Sequence, residues 1–276
     1  MVVEDIELHT VTLARDRMGV RPLFYVSHSP HFFAVASTPA PLQVMLQREL
    51  NEGTAKASPR VSHLHIQELR PDQLLRLDLA DMRVALRPSP LALPRPHSAQ
   101  VWTDAELAPA TLRLLRAAVA KRLDSNLERP VCCLLSGGID SSAVAALLAD
   151  DMRRRWGHRG HAKDAIAPRL ATFAIGFPGS DDLRYARVVA DAIGADHHEV
   201  LMGEDEALRA LPEVVRATGT YDITTIRAST PMYLMCCHIA RHTNYRVVFS
   251  GEGSDELNAG YLYFHQAPSR RTRSVC

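Results

Sequence analysis

Residues 131–150 read VCCLLSGGIDSSAVAALLAD, and this stretch limits the fold more than any other part of the chain. Five apolar residues run directly into Ser136-Gly137-Gly138-Ile139-Asp140-Ser141-Ser142, and an alanine-rich segment follows without a gap. The apolar run predicts a buried strand over 131–135, and the segment after the turn predicts a helix over 141–155. Glycines at a strand end let backbone N–H groups approach an anion, and the N-terminus of the next helix adds a favourable dipole. The stretch therefore predicts a phosphate-binding turn. It is not a Walker loop, because G-x-x-x-x-G-K-[ST] does not occur and no lysine lies between Lys121 and Lys163. An ordinary βα connection is the plainer alternative, which a lone Gly-Gly would suggest but this longer run in register does not.

The same alternation extends along the second half of the chain. From Asp104, AELAPATLRLLRAAVAKRL has helical spacing despite an early proline. LATFAI reads as a strand, DLRYARVVADAIG as a helix closed by Gly194, and HHEVL as a strand. Helical stretches over 204–217 and 229–241 precede a last strand, RVVFS. Strands alternating with helices predict an α/β fold, a parallel sheet with helices on both faces.

The first part has a different pattern. LHTVTLA and HFFAVAS, separated by the turn-rich RDRMGVRPL, read as antiparallel strands within residues 6–37. LHIQELRPDQLLRLDL reads as a second hairpin about a Pro-Asp turn, and RPSPLALPRPHSA (87–99), with four prolines, reads as a linker. The expected division is an antiparallel part over 1–86, a Pro-rich linker over 87–103 and an α/β domain over 104–276.

Composition contributes exclusions. A net charge of +1 and an aromatic fraction of 6% argue against a general binder of nucleic acid or membrane surfaces. No apolar run is long enough for a membrane span and no secretory pattern opens the sequence, so a cytoplasmic protein is expected. The five cysteines include no C-x-x-C pair, which fits a reducing compartment. Cys132 and Cys133 are neighbours in a strand, so they should point to opposite faces as two small buried residues. His63, His65, His158, His161, His197 and His198 have no accompanying ligand-spaced cluster and read as solvated or satisfied. RRRWGHRGHAK (153–163) reads as an exposed loop between a helix and a strand.

Ligands of parallel sheets bind at the carboxyl ends of the strands. Three loops belong there: 136–142, Gly176 with its neighbours, and Ser250-Gly251-Glu252-Gly253-Ser254-Asp255-Glu256. Two of them combine glycines with acidic residues, which suits a polyphosphate carrying Mg²⁺, since this ion prefers one or two carboxylates plus phosphate oxygens. The residues alone leave open an N-cap role for Asp140 and a surface role for Asp255 or Glu256.

S-G-G-x-D-S resembles the pyrophosphate loop of the N-type ATP pyrophosphatases, which cleave ATP between the α and β phosphates. FSGEGSDELNAGYLYFHQAPS, TYDITTIRASTPMYL and ATFAIGFPGSDDLRYARVVADAIGADHHEV closely resemble the synthetase domain of glutamine-dependent asparagine synthetases. ARDRMGVRPLFY resembles the end of the glutaminase domain in the same family, so the resemblance covers almost the whole chain in the family's order. It implies an adenine nucleotide α-hydrolase-like synthetase domain preceded by part of a class II glutamine amidotransferase domain. The implied reaction joins aspartate to ATP as β-aspartyl-AMP with release of pyrophosphate. Ammonia from glutamine then gives asparagine and AMP.

By that resemblance Leu135, Ile175, Ser250 and Gly251 line the ATP site, and Ser136, Gly137, Gly138, Asp140, Ser141 and Ser142 hold the pyrophosphate. Asp140 and Asp255 share Mg²⁺, Glu252 serves the β-aspartyl-AMP intermediate, Arg227 joins it as a catalytic residue by stabilising charge that accumulates in transfer, and Thr224, Thr225 and Arg227 lie where aspartate is expected. Asp16 matches a glutamine-binding position. The resemblance implies no nucleic-acid or membrane partner, and it leaves a homodimer open. Read without it, Thr224 or Thr225 is equally a helix-start cap and Asp16 a turn aspartate.

Two features depart from the family. Its glutaminase uses an N-terminal cysteine assisted by its own α-amino group, whereas this sequence opens Met1-Val2-Val3 and has no cysteine before Cys132. Family members also continue past YFHQAPS to a late lysine, whereas this sequence ends in RRTRSVC. The expectation is a truncated member. Its rivals are another amide-forming synthetase such as a β-lactam synthetase, against which TYDITTIRAS favours aspartate, and a non-catalytic ATP-binding or partner-binding remnant.

Overall fold

The computed structural model describes residues 1–16, 18–29, 32–52, 66–71, 73–88, 103–126, 128–158, 169–258 and 260–266. These fall into two units, Met1–Gln100 and Val101–Cys276. The first contains β1 (Val2–Asp5), β2 (Thr10–Ala14), β3 (Phe24–Ser29), β4 (Phe32–Ala36), α1 (Pro39–Glu52), β5 (Ile66–Glu68), β6 (Gln73–Asp78) and β7 (Val84–Pro88). Its strands make two antiparallel sheets, β1-β2-β6-β7 and β4-β3-β5. Tyr25, Phe33 and Val35 of the smaller sheet pack with Leu13, Leu75 and Leu77 of the larger. The alternate residues Phe24, Val26, Phe32 and Ala34 pack with Leu42 and Leu46 of α1. Burial on both faces explains why β4 (FFAVA) is a continuous apolar run rather than an alternating one.

The pairing differs from the expected hairpins. LHTVTLA and HFFAVAS lie in different sheets, and β3, unassigned from the sequence, is the partner of β4. Across the Pro71 turn, β5 pairs with β3 (Ile66 opposite Val26) while β6 pairs with β2 (Leu75 opposite Leu13). That turn carries the chain between sheets. Alternation specifies which face a strand buries but not which strand lies beside it. Strand β7 also takes in Arg87 and Pro88, assigned above to the linker, and residues 89–102 lie outside the described residues.

The second unit runs α2 (Asp104–Asp124), β8 (Val131–Leu134), α3 (Ile139–His158), β9 (Ala171–Gly176), α4 (Asp181–Ile193), β10 (Asp196–Leu201), α5 (Glu204–Thr218), α6 (Ile223–His242), β11 (Val247–Phe249) and α7 (Ser254–Asn258). A 3₁₀ turn follows at Leu262–Gln266. The four strands form one parallel sheet in the order β10-β9-β8-β11. On one face Cys133, Leu135 and Ala174 pack with Val119 of α2, Leu148 of α3 and Ala186 of α4. On the other, Cys132, Leu134 and Phe173 meet Met235 and Ile239 of α6, and α5 packs on α6. Helices thus cover both faces, and no helix among the described residues is long and apolar enough to cross a membrane.

Two segments differ from expectation here. Arg153, Arg154 and Arg155 belong to α3, as the helix expected over 141–155 has them, and not to the exposed loop expected over 153–163. Arg155 pairs with Asp124 of α2 and, at 2.7 Å, with Asp151, so these charges extend the helix instead of ending it. His63, His65, His161 and residues 159–163 of the basic run lie outside the described residues. Helix α6 begins at Ile223, six residues before 229, because Asp222 caps a segment whose β-branched residues and internal Pro231 mask the helical pattern.

Candidate functional site

Strand β11 lies on one side of β8, and β9 and β10 extend from the other. The strand order therefore reverses between β8 and β11, so the loops leaving these neighbours open a crevice at their carboxyl ends. A cavity of about 300 Å³ occupies that place. Leu134, Leu135, Phe173, Ala174 and Ile175 line it from the strand ends, and Ala228, Pro231, Met232 and Met235 line it from α6. Ser136, Asp140 and Ser141 enter from the loop after β8, and Ser250 to Glu256 from the loop after β11.

The first loop is held by its own serines. The Ser141 hydroxyl accepts from the Ser136 backbone N at 3.2 Å and lies 3.2 Å from the Gly138 carbonyl, to which Ser142 Oγ donates at 2.6 Å. Gly137 has φ +81°, and a Cβ there would stand 2.5 Å from Tyr185 Cβ and 2.6 Å from the Ala186 nitrogen. Only glycine accepts both the left-handed conformation and that approach of α4. A Cβ on Gly251 would stand 2.7 Å from the backbone nitrogen of Ser141, so the second loop packs directly on the first turn of α3. Ser254 Oγ donates to Asp140 Oδ1 at 2.6 Å and ties the two loops a second time. Asp140 lies within the first turn of α3 and its carboxylate takes this hydroxyl; it is not the N-cap considered above.

Of the residues singled out from the sequence, Leu135, Ser136, Asp140, Ser141, Ile175, Ser250, Gly251, Glu252 and Asp255 line the cavity. Gly137, Gly138 and Ser142 shape the loop without lining it. Thr224, Thr225 and Arg227 occupy the first turns of α6, outside the lining. The cap of that helix is Asp222 rather than either threonine, with Oδ2 accepting from Thr225 N at 2.7 Å and Thr225 Oγ1 at 2.8 Å. The backbone bond from Thr225 holds the Asp222 carboxyl below its ordinary range, helped by the hydroxyl. Asp16, in the first unit, accepts from the backbone nitrogens of Arg21 and Val20 at 3.0 and 2.9 Å. The Arg21 bond is the main cause of its lowered pKa, so Asp16 has the geometry of a turn aspartate.

Sequence reasoning passed over Asp182, in the first turn of α4, and the stripe Ala228-Pro231-Met232-Met235. Helical spacing of three and four residues was the available signal for the stripe, but the late start assigned to α6 hid its upper part. Tyr261 also lines the cavity and donates to Glu256 Oε1 at 2.6 Å.

Asp140, Asp182, Glu252, Asp255 and Glu256 all line the cavity, and among the described residues no lysine or arginine does. An oxygen-only donor set fits a hard divalent cation, and a polyanion placed among carboxylates requires one between them. The described residues contain no group of three or more His, Cys, Asp or Glu suited to a metal. A pair of carboxylates completed by phosphate oxygens and water is how Mg²⁺ binds with nucleotides. Beneath the site, burial pushes the Cys132 thiol up to about 11 and the Cys133 thiol up to about 12. Both are free and buried. His197 is only half satisfied, since Nδ1 lies 2.8 Å from Thr172 Oγ1 while buried Nε2 has no partner among the described residues.

Residues 110–275 match the protein family described as asparagine synthase. The glutamine-hydrolysing asparagine synthetase of Pongo abelii is 38% identical over 273 residues, covering 97% of this chain and 46% of that protein. Those of Cricetulus griseus and Homo sapiens are each 40% identical over 264 residues, with 94% and 45% covered. The chain thus spans less than half the length of these curated relatives. Among solved structures, the NH₃-dependent NAD synthetase of Campylobacter jejuni is similar at 15% identity and a TM-score of 0.36, over 54% of this chain and 58% of that one. The NMN synthetase of Francisella tularensis is similar at 16% identity and a TM-score of 0.35, over 55% and 58%.

Proposed function

This chain belongs to the asparagine synthase family, and from that premise we propose that its second unit is the nucleotide-binding core of an ATP-dependent asparagine synthetase. The supporting observation is the meeting of Ser136–Ser142 and Ser250–Glu256, from neighbouring strands, around one cavity with an apolar wall and five carboxylates. In this reading Leu135, Ile175, Ser250 and Gly251 receive the adenosine part of ATP, and the loop over 136–142 receives the β and γ phosphates. Asp140 and Asp255 hold Mg²⁺, which when bound neutralises charge on the departing pyrophosphate. The apolar stripe of α6 excludes water from the reacting end.

The substrate carboxylate is aspartate's, approaching from the first turns of α6, where Arg227 offers a cation and Thr224 a hydroxyl. Thr225 acts there through the Asp222 cap, since its hydroxyl is already bonded. Glu252 works on the far side of the phosphates, where it orients the β-aspartyl group or takes a proton from attacking ammonia. Residues 1–86 are read as the later part of a class II glutamine amidotransferase domain, with glutamine as ammonia source, and 104–276 as the synthetase domain. The proposed setting is cytoplasmic and the proposed assembly a homodimer.

The test supplies purified protein with ATP, Mg²⁺, aspartate and ammonia. Formation of AMP, pyrophosphate and asparagine together is the expected result. Turnover only with a different carboxylate would assign another amide-forming synthetase, and ATP binding without turnover a non-catalytic nucleotide site. No Mg²⁺-dependent ATP binding would overturn the proposal.

A further inference from the structure

We infer that Ser254 is a positioning residue for a metal-binding carboxylate, holding Asp140 through a directed hydrogen-bond chain that begins at Asn258. The inference rests on the proposed role of Asp140 toward Mg²⁺. Asn258 Nδ2 donates to the Ser254 carbonyl at 3.0 Å and reaches Ser254 Oγ at 3.3 Å. An amide nitrogen can only donate, so the serine oxygen accepts there and its single proton is directed elsewhere. That proton goes to Asp140 Oδ1 at 2.6 Å, the length of a hydroxyl donating to an ionised oxygen. Asp140 Oδ2 carries no hydrogen bond among the described residues, so one oxygen is fixed and the other is left for a cation.

The direction of the chain matters because its two ends lie on different strands' loops. Asp140 follows β8 and Ser254 follows β11, 114 residues apart. Asp255, the other proposed ligand, is the next residue after Ser254. Its Oδ1 occupies the space beside Gly260, where a Cβ would stand 2.0 Å away. Added to the packing of Gly251 on Ser141, this hydroxyl is the directed side-chain bond between the two loops that carry the two carboxylates. Bonds of this kind, made to a ligand rather than to the metal, typically change metal affinity about 10- to 100-fold.

Calorimetric titration of ATP with and without Mg²⁺ into the chain and its Ser254→Ala and Ser254→Thr variants tests this. The alanine variant should weaken binding in Mg²⁺ by about tenfold or more, leave metal-free ATP binding unchanged, and be rescued by threonine. Equal losses with and without Mg²⁺ would assign Ser254 a merely structural part and overturn the inference. Unchanged Mg²⁺-dependent binding in Ser254→Ala would overturn it alone, leaving the reading of the site intact. If the unaltered chain binds ATP indifferently to Mg²⁺, both fall.

Discussion

Gly251 and Ser141 are separated by more than a hundred residues, yet a side-chain carbon on the first would sit 2.7 Å from the backbone nitrogen of the second. The conflict is with backbone at the start of α3, which cannot swing aside as a flexible side chain would. Gly251→Ala should therefore push the two site loops apart, costing about 1–3 kcal/mol as overpacking does. Denaturant unfolding measures the loss, and calorimetry should show weakened Mg²⁺-ATP binding in the same variant. Full stability with full affinity would mean that the loops are not in contact.

Removing the carboxylate of Asp140 should abolish the Mg²⁺ dependence of ATP binding. A charged interaction worth roughly 3 kcal/mol corresponds to about two orders of magnitude in affinity. Titration of ATP into Asp140→Ala decides it, and an affinity matching the unaltered chain would remove Asp140 from the metal site.

Glu252→Gln should bind ATP normally and fail in synthesis. An anionic side chain beside a polyphosphate is unfavourable to nucleotide affinity, so its retention in the cavity lining fits a later step. Proton transfer of this kind contributes about 10²- to 10⁴-fold in rate. The assay belongs in a protein of the relatives' length. Loss of ATP binding with the fold intact, or full synthesis, would contradict the assignment.

The paired cysteines give a pH prediction. Burial raises the folded thiols to about 11 for Cys132 and about 12 for Cys133, whereas an unfolded cysteine titrates near roughly 8.5. Between those values the unfolded chain releases protons that the folded chain retains, so their contribution is fully present below about pH 8.5 and declines as pH rises above it. Unfolding midpoints measured from pH 7 to 10 should fall, and Cys132→Ser/Cys133→Ser should flatten the alkaline part of the curve. At pH 8, peptides containing both residues should escape alkylation until denaturant is added.

Much of the second unit is legible in the sequence because its signals are local. A strand, a glycine turn and a helix are each written in consecutive residues, so the positions of Ser136 to Ser142 and of Ser250 to Glu256 at strand ends follow directly. Adjacency is not local. Nothing in the residues of β8 and β11 states that these strands are neighbours, and the same gap misassigned β5 and β6 to one hairpin. The start of α6 was obscured for another reason, since Thr224, Thr225 and Pro231 are weak helix formers that the Asp222 cap and the packing of Met235 and Ile239 override. Asp182 and Tyr261 escaped notice because no motif marks them; only the shape of the cavity does.

The neighbouring placement of β8 and β11 also has a kinetic meaning. Everything from Ser136 to Phe249 must be spanned before the second loop can meet the first, so the cavity is assembled from contacts of high sequence separation. Closing so long a loop carries an entropic cost that only later contacts recover, which slows the formation of contacts of this type. A chain in which β8, β9 and β10 have already paired would display a finished first loop with no partner opposite it. Nucleotide that bridges both loops would then act on the final docking of β11, favouring the completed sheet over its three-stranded precursor.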